Sequence, residues 1–363
     1  MGLVLTAGLI LDTMSVLSRL SRLTAVLVSA VLALTLSAVP ASAFSSTAPS
    51  GIDVSGHQRG HGQPIHWQEV AADGQQFAFI KATEGENWVN EHFLEDVHEA
   101  DRAGLLVGTY HYARPAGDAR LQAAHYAATL AAAPLNSLPP VLDIEVHEGL
   151  DPVQMQQWVG EFLAETEHLT GRVPMIYTYR YFWQEHLADT DLFTRHPLWL
   201  AAYQNTVPEP MGGWSHLTFW QRSETGRVAG VNGDVDLNLF NGTEQQLRDL
   251  VAGNHVNLDG ALERLAVPHN DVLATLGDDI PDSADNTALA GLVLATEGGL
   301  FPEEALPEAA EHVGVDPAVA DDLGGRVSDL IATGDLPVGD LENMMHNSEY
   351  TVGDLLILLD NAG

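Results

Sequence analysis

The chain has 363 residues, 45% of them hydrophobic, which is enough apolar matter for a sizeable core and, at about 100–200 residues per domain, for two folded units. Fifteen basic residues face 50 acidic ones, and the resulting formal charge of -35 would repel a nucleic-acid backbone, so nucleic-acid binding is excluded. Cysteine is absent, which removes disulfides, thiol nucleophiles and cysteine-ligated zinc while saying nothing about compartment.

At the start of the chain Arg19 and Arg22 precede an apolar run from Leu23 to Val39, followed by Pro40 and the small-residue triplet Ala41-Ser42-Ala43. The run is short for a spanning helix and ends on an A-x-A pattern rather than on basic residues. Residues 1–43 are therefore expected to be a secretory signal peptide cleaved after Ala43, leaving a secreted or wall-associated protein with no stable membrane insertion. Met14 would make a more ordinary beginning than Met1. Residues 44–50, rich in Ser, Thr and Pro, read as a linker.

Residues 51–250 alternate short β-branched and aromatic runs with helical patterns. Strands are predicted at Gly51–Ser55, Phe77–Thr83, Leu106–Tyr112, Val141–Glu145, Met175–Tyr179, Leu198–Tyr203 and Leu217–Arg222, and a last sheet segment carries Asp236. Helices are expected at Glu91–Ala103, Leu121–Ala133 and Pro152–Leu169. Strand and helix alternating at this spacing argue for an α/β protein with a mostly parallel sheet, closed or nearly closed into a β/α-barrel. In such barrels chemistry sits at the C-terminal ends of the strands. That rule singles out Asp53, Lys81, Glu84, Tyr110, Tyr112, Asp143, Glu145, Tyr177, Tyr179, Tyr203, Trp220 and Gln221.

Residues 251–363 differ in character, with few aromatics and with helical spacing in Ala261–Ala266, Thr287–Thr296 and Val352–Leu359. They hold 22 acidic residues and two arginines, so about -20 of the charge lies in this smaller part. A small acidic all-α module is expected. Its ligand is open among a wall- or protein-binding role, a solvated appendage, and a cation site at Asp278, Asp279, Asp282 and Asp285. That last cluster lacks the regular spacing of a calcium loop.

The sharpest chemical signal is Pro139-Pro140-Val141-Leu142-Asp143-Ile144-Glu145. A strand inside a parallel sheet is normally apolar on both faces, yet here two carboxylates stand at i and i+2 and so point to one side. Burying two like charges is costly, and the usual relief is that one keeps its proton near neutral pH, the state a general acid needs. Paired carboxylates of this kind perform glycoside hydrolysis. Taken alone, D-x-E also fits two solvated charges at a strand end. Asp53 and Asp236 change that weighing, because a closed barrel sets its first and last strands side by side and could bring four carboxylates to one cleft.

The motifs G-I-D-V-S (51–55), F-I-K-A-T-E-G (79–85), G-T-Y-H-Y-A-R-P (108–115), P-V-L-D-I-E (140–145), I-Y-T (176–178), L-W-L-A-A-Y (198–203), F-W-Q (219–221) and V-D-L-N (235–238) together resemble glycoside hydrolase family 25, the lysozymes that cleave peptidoglycan. The resemblance implies a single modified β/α-barrel and hydrolysis of the β-1,4 bond between N-acetylmuramic acid and N-acetylglucosamine. It makes Glu145 the general acid, Asp143 the second catalytic carboxylate, and Asp53 and Asp236 an outer acidic pair. Direct attack by Asp143 and participation of the substrate's own acetamido group both remain open. No essential metal or organic cofactor is implied, and the partner is a peptidoglycan glycan strand.

Aromatic rings stack on sugar faces, which makes Tyr110, Tyr177 and Trp220, with Tyr203 and Tyr112, the expected substrate contacts. Lys81 and Glu84 read as an ion pair bracing a strand end. His57, His61 and His66 lie among glycines without zinc spacing and read as a solvated loop. The competing functional reading is a non-catalytic glycan-binding protein on the same barrel, since fold alone does not prove turnover. A chitinase-like enzyme fits less well, because its D-x-x-D-x-D-x-E spacing is missing where Pro139, Pro140 and Val141 stand.

Overall fold

Eight strands close a ring in the computed structural model, which describes residues 48–133, 137–204, 207–253, 286–300, 302–347 and 349–362. They are β1 (Ser50–Val54), β2 (Phe77–Glu84), β4 (Leu106–Tyr112), β5 (Val141–Asp143), β6 (Met175–Tyr179), β7 (Leu198–Ala201), β8 (Phe219–Gly226) and β9 (Val235–Phe240). A two-residue strand, β3 (Trp88–Val89), hangs on the edge of β2. From β1 through β2 and on to β8 neighbouring strands run parallel, whereas β9 is antiparallel to both β8 and β1. The expected β/α-barrel is therefore present, modified by one reversed strand that closes it.

Five strands depart from expectation at their ends, and of these β2 runs on to Glu84 and β7 stops at Ala201 rather than at Tyr203. Ser50, assigned to the linker, already pairs in β1 with Leu239. β5 stops at Asp143, but Ile144 still donates its backbone N–H to Tyr177 O at 3.0 Å, which keeps Glu145 on the face of Asp143. β8 runs four residues beyond Arg222 because it forms a hairpin with β9.

Period-two alternation fills the barrel. On β2, Phe77 and Phe79 point inward and meet Phe219 at ring-centroid distances of 5.2 and 5.1 Å, while Trp199 stacks on Phe79 at 4.3 Å. Gly108 faces this cluster; a Cβ there would lie 2.1 Å from the Phe79 ring, so only glycine lets β4 approach. Aromatic rings thus plug the barrel below its C-terminal rim.

Helices cover the outside, and three of the six that follow start at a side-chain cap. The six are α1 (Trp67–Ala72), α2 (Phe93–Arg102), α3 (Ala119–Leu130), α4 (Pro152–Thr170), α5 (Arg180–Leu187) and α6 (Glu244–Val251). α4 shows the logic most fully: Asp151 caps it in a box with Gln154, Pro152 opens it, and Gly171 ends it at φ 69°. α2 buries Phe93, Asp96, Val97 and Ala100, one helical face, against the sheet.

The acidic C-terminal region is helical as expected, with α7 (Asn286–Glu297), α8 (Leu306–His312), α9 (Pro317–Thr333), α10 (Val338–His346) and α11 (Val352–Asp360). It is packed on the barrel rather than appended to it, and Ser42–Gly363 counts as one compact unit. Every residue from Val352 to Leu359 is buried, because α11 lies between its own module and the barrel. The expected signal peptide, Ala261–Ala266 and the Asp278–Asp285 cluster lie outside the described residues. Among those residues no helix is long and apolar enough to cross a membrane.

Candidate active site

Reversal of β9 decides the geometry of the rim. An antiparallel strand begins where its parallel neighbours end, so Asp236 near the start of β9 stands directly opposite Asp53 near the end of β1, the two being register partners. β5 delivers Asp143 and Glu145 to the same rim. All four carboxylates line one cavity of about 520 Å³, and Asp53, Asp143 and Glu145 are only 5%, 5% and 8% exposed.

Two proton-sharing pairs result. Burial, then the adjacent Asp143 charge, push Glu145 well above the ordinary carboxylate range, and its proton is donated toward Asp143. Burial also pushes Asp143 up, to about 7, against the opposing pull of Lys81 and of the Glu145 hydrogen bond. In the second pair burial and the Asp53 charge hold Asp236 well above its usual value. Asp53 is raised by burial too, but three hydrogen bonds that favour its anion oppose the rise, so the second proton resides on Asp236. The arrangement therefore presents an acid beside an anion, twice.

Side-chain amides fix which oxygen carries which role. Gln221 Nε2 donates to Asp53 Oδ2 at 3.0 Å, and Asn238 Nδ2 donates to the same oxygen at 2.7 Å. Both amides are oriented from behind: Tyr177 donates its hydroxyl to Gln221 Oε1 at 2.7 Å, and Trp199 Nε1 donates to Asn238 Oδ1 at 2.8 Å. Asp143 Oδ1, by contrast, is buried with no hydrogen-bond partner among the described residues.

Of the expected aromatic contacts, Tyr110, Tyr112, Tyr177 and Tyr203 line the cavity. Trp220 does not. On β8 the inward positions are Phe219 and Gln221, so Trp220 between them points to the helices, is 1% exposed, and donates its indole N–H to Ala202 O at 2.7 Å. Trp199 on β7 is the tryptophan of the cavity wall, and strand alternation from Trp199 to Ala201 was the signal that could have found it. Tyr179 is not among the residues lining the cavity, and its ring packs against Tyr181 and Phe182.

Lys81 and Glu84 form the expected ion pair at 2.7 Å, and both also line the cavity. Burial would raise Glu84, but its bonds to Lys81 and Arg114 outweigh that and hold it below the usual range. Lys81 Nζ lies 4.6 Å from the centre of the Tyr112 ring. The histidine loop is a short 3-10 helix, 56–62, and its His57 reaches the cavity wall.

Residues from the C-terminal module complete the wall: Asp322, Arg326, Ile357, Asp360 and Asn361. Nothing in the sequence marked them, because their role depends on how α9 and α11 dock. Asn361 Nδ2 donates to Glu145 Oε2 at 2.9 Å, and Tyr112 donates its hydroxyl to Asn361 Oδ1 at 3.0 Å.

Comparison with known proteins agrees with this geometry. The family model described as glycosyl hydrolases family 25 matches residues 52–231 and ends before the helical module. Lysozyme M1 of Streptomyces globisporus is 38% identical over 207 residues, which span 54% of this chain and 69% of that one. The bacterial lysozyme of Streptomyces coelicolor aligns with a TM-score of 0.54 at 36% identity, covering 57% of this chain and 99% of that one. The family GH25 lysozyme of Aspergillus fumigatus gives a TM-score of 0.51 at 34% identity, covering 58% and 100%. Barrel, converging acids and sequence likeness coincide, and the chain belongs to glycosyl hydrolase family 25.

Proposed function

We propose that this glycoside hydrolase is an exported muramidase that cleaves the β-1,4 bond between N-acetylmuramic acid and N-acetylglucosamine, with Glu145 as general acid and Asp143 as the second catalytic carboxylate. The observation that carries the reading is the buried Asp143–Glu145 pair, in which the proton sits on Glu145. As the bond between the anomeric carbon and the leaving oxygen breaks, that proton passes to the oxygen, and ionised Asp143 faces the positive charge developing at the carbon. Glu145, now a carboxylate, then takes a proton from the incoming water.

Asp53 acts on this pair through its charge, Asp236 holds the proton beside it, and the Asp143 carboxylate on the cavity wall is the group that a substrate N–H or the anomeric carbon would meet. Tyr110, Tyr112, Tyr177, Tyr203 and Trp199 offer faces and hydroxyls to sugar rings. The names of the relatives support a wall-glycan substrate, and the apolar run before Ala43 supports export. A glycan-binding protein without turnover is the reading to eliminate.

Product analysis on purified peptidoglycan tests this. New reducing ends are expected at muramic acid, and Glu145→Gln, isosteric but unable to donate the proton, is expected to lower turnover about 10²–10⁴-fold with the fold intact. Reducing ends at glucosamine, release of peptide only, or an unimpaired Glu145→Gln variant would overturn the assignment.

A further inference from the structure

The C-terminal module sits in the cleft that the substrate must enter. Asn361, just past the end of α11, places its amide on the carboxyl of Glu145, and its Nδ2 also donates to Ile357 O at 3.0 Å, which holds the side chain in that position. Glu145 is then engaged twice, once by Asp143 and once by Asn361. A general acid must instead turn an oxygen toward the leaving group, within hydrogen-bond reach of it. A sugar cannot occupy the place that Asn361 holds.

The docking is built, not incidental. Gly353 lies so close to the barrel that a Cβ there would stand 2.6 Å from Tyr203 O, 2.8 Å from its N and 3.1 Å from its carbonyl carbon. Arg326 of α9 reaches Glu224 on β8 at 2.5 Å and is also bonded to Asp322 at 2.8 Å. It is the sole Lys or Arg among the described residues of the module, and it is spent on this contact. Two tyrosines complete the latch: Tyr181 of the barrel donates to Asp340 at 2.6 Å, and Tyr350 of the module donates to Glu185 at 2.6 Å.

We propose that the C-terminal module is a built-in inhibitor: docked as seen here, it blocks the acid Glu145 through Asn361, and wall glycan gains access only when α11 lifts from the barrel. The inference rests on the reading of Glu145 as the acid and adds a regulatory contact to it. It also assigns the module a role in the cleft itself, in addition to any ligand it binds outside.

Two variants of the full chain test it. Asn361→Ala deletes the contact at a helix end, and Gly353→Leu wedges α11 away from the Tyr203 backbone; circular dichroism and thermal melting establish that each is folded. Initial rates are measured on soluble peptidoglycan fragments, and calorimetric affinity on a tri-N-acetylglucosamine probe that carries the acetamido and hydroxyl groups of the wall glycan. Loss of one hydrogen bond to the acid is expected to raise rate or affinity about fivefold for Asn361→Ala, and the wedge to raise it further. A folded Asn361→Ala variant with neither gain overturns the proposal, whatever the fate of Gly353→Leu. Should affinity rise while no variant releases reducing ends, the inhibitor stands and the hydrolytic reading falls; should wild type hydrolyse walls with no gain in the variants, the reverse holds.

Discussion

Asp143 illustrates how a single residue trades stability for chemistry. Burial lifts its pKa from 3.8 to about 7, so the native state holds a proton that the unfolded chain has already lost between those values. Below pH 3.8 both states are protonated and nothing is lost; as pH rises toward 7 the native state is progressively penalised, and above that the loss is complete. Asp143→Asn is therefore expected to stabilise the fold by about 1–3 kcal/mol at pH 8, with the gain vanishing by pH 4, while abolishing most turnover. Thermal melting across that pH range checks it, and a gain that grows toward acid would contradict the sign. The residues of this site were legible in sequence because D-x-E on an otherwise apolar strand violates the burial rule for a parallel sheet. Trp220 was not, since F-W-Q names three side chains but alternation decides which two face inward.

Among the elements, β9 carries the most consequence. Eight residues separate it from β8, 227–234, too few for a parallel crossover, which needs a dozen or more, so a hairpin was forced. The motif V-D-L-N located the strand, and this connection length was the available signal for its direction. α2 depends on a different device: its buried Asp96 accepts from both Arg59 and the Trp67 indole, the latter at 3.0 Å, and ties the 56–62 loop beneath the rim. Asp96→Ala would leave a guanidinium that is 5% exposed with only the exposed carboxylate of Glu95, 3.6 Å away, as its ion-pair partner. A loss of about 3–5 kcal/mol is expected by denaturant titration; a change under 1 kcal/mol would show that water reaches Arg59 on its own. His111, buried between Thr83 and Gln122, is of the same kind: burial lowers its pKa to about 4, and it serves as a neutral strut rather than as a base.

At the scale of the whole molecule, a formal charge of -35 opposes adsorption to walls that carry anionic polymers. Lengthening or shortening the Debye length, from about 30 Å at 0.01 M salt to about 8 Å at 0.15 M, changes that repulsion directly. Cosedimentation with such walls is expected to rise several-fold across this range, and a fall would point to a basic contact outweighing the net charge.

The sequence by itself determined the barrel, its four acids and the helical nature of the acidic tail, because strand alternation, motif order and charge are local or one-dimensional quantities. Tertiary structure alone decided that Gln221 and Asn238 clamp Asp53 and that Asn361 meets Glu145 across 216 positions of chain. Those contacts arise from how closed strands rotate their side chains and from where α11 docks, and no pattern in a neighbouring stretch of residues encodes either.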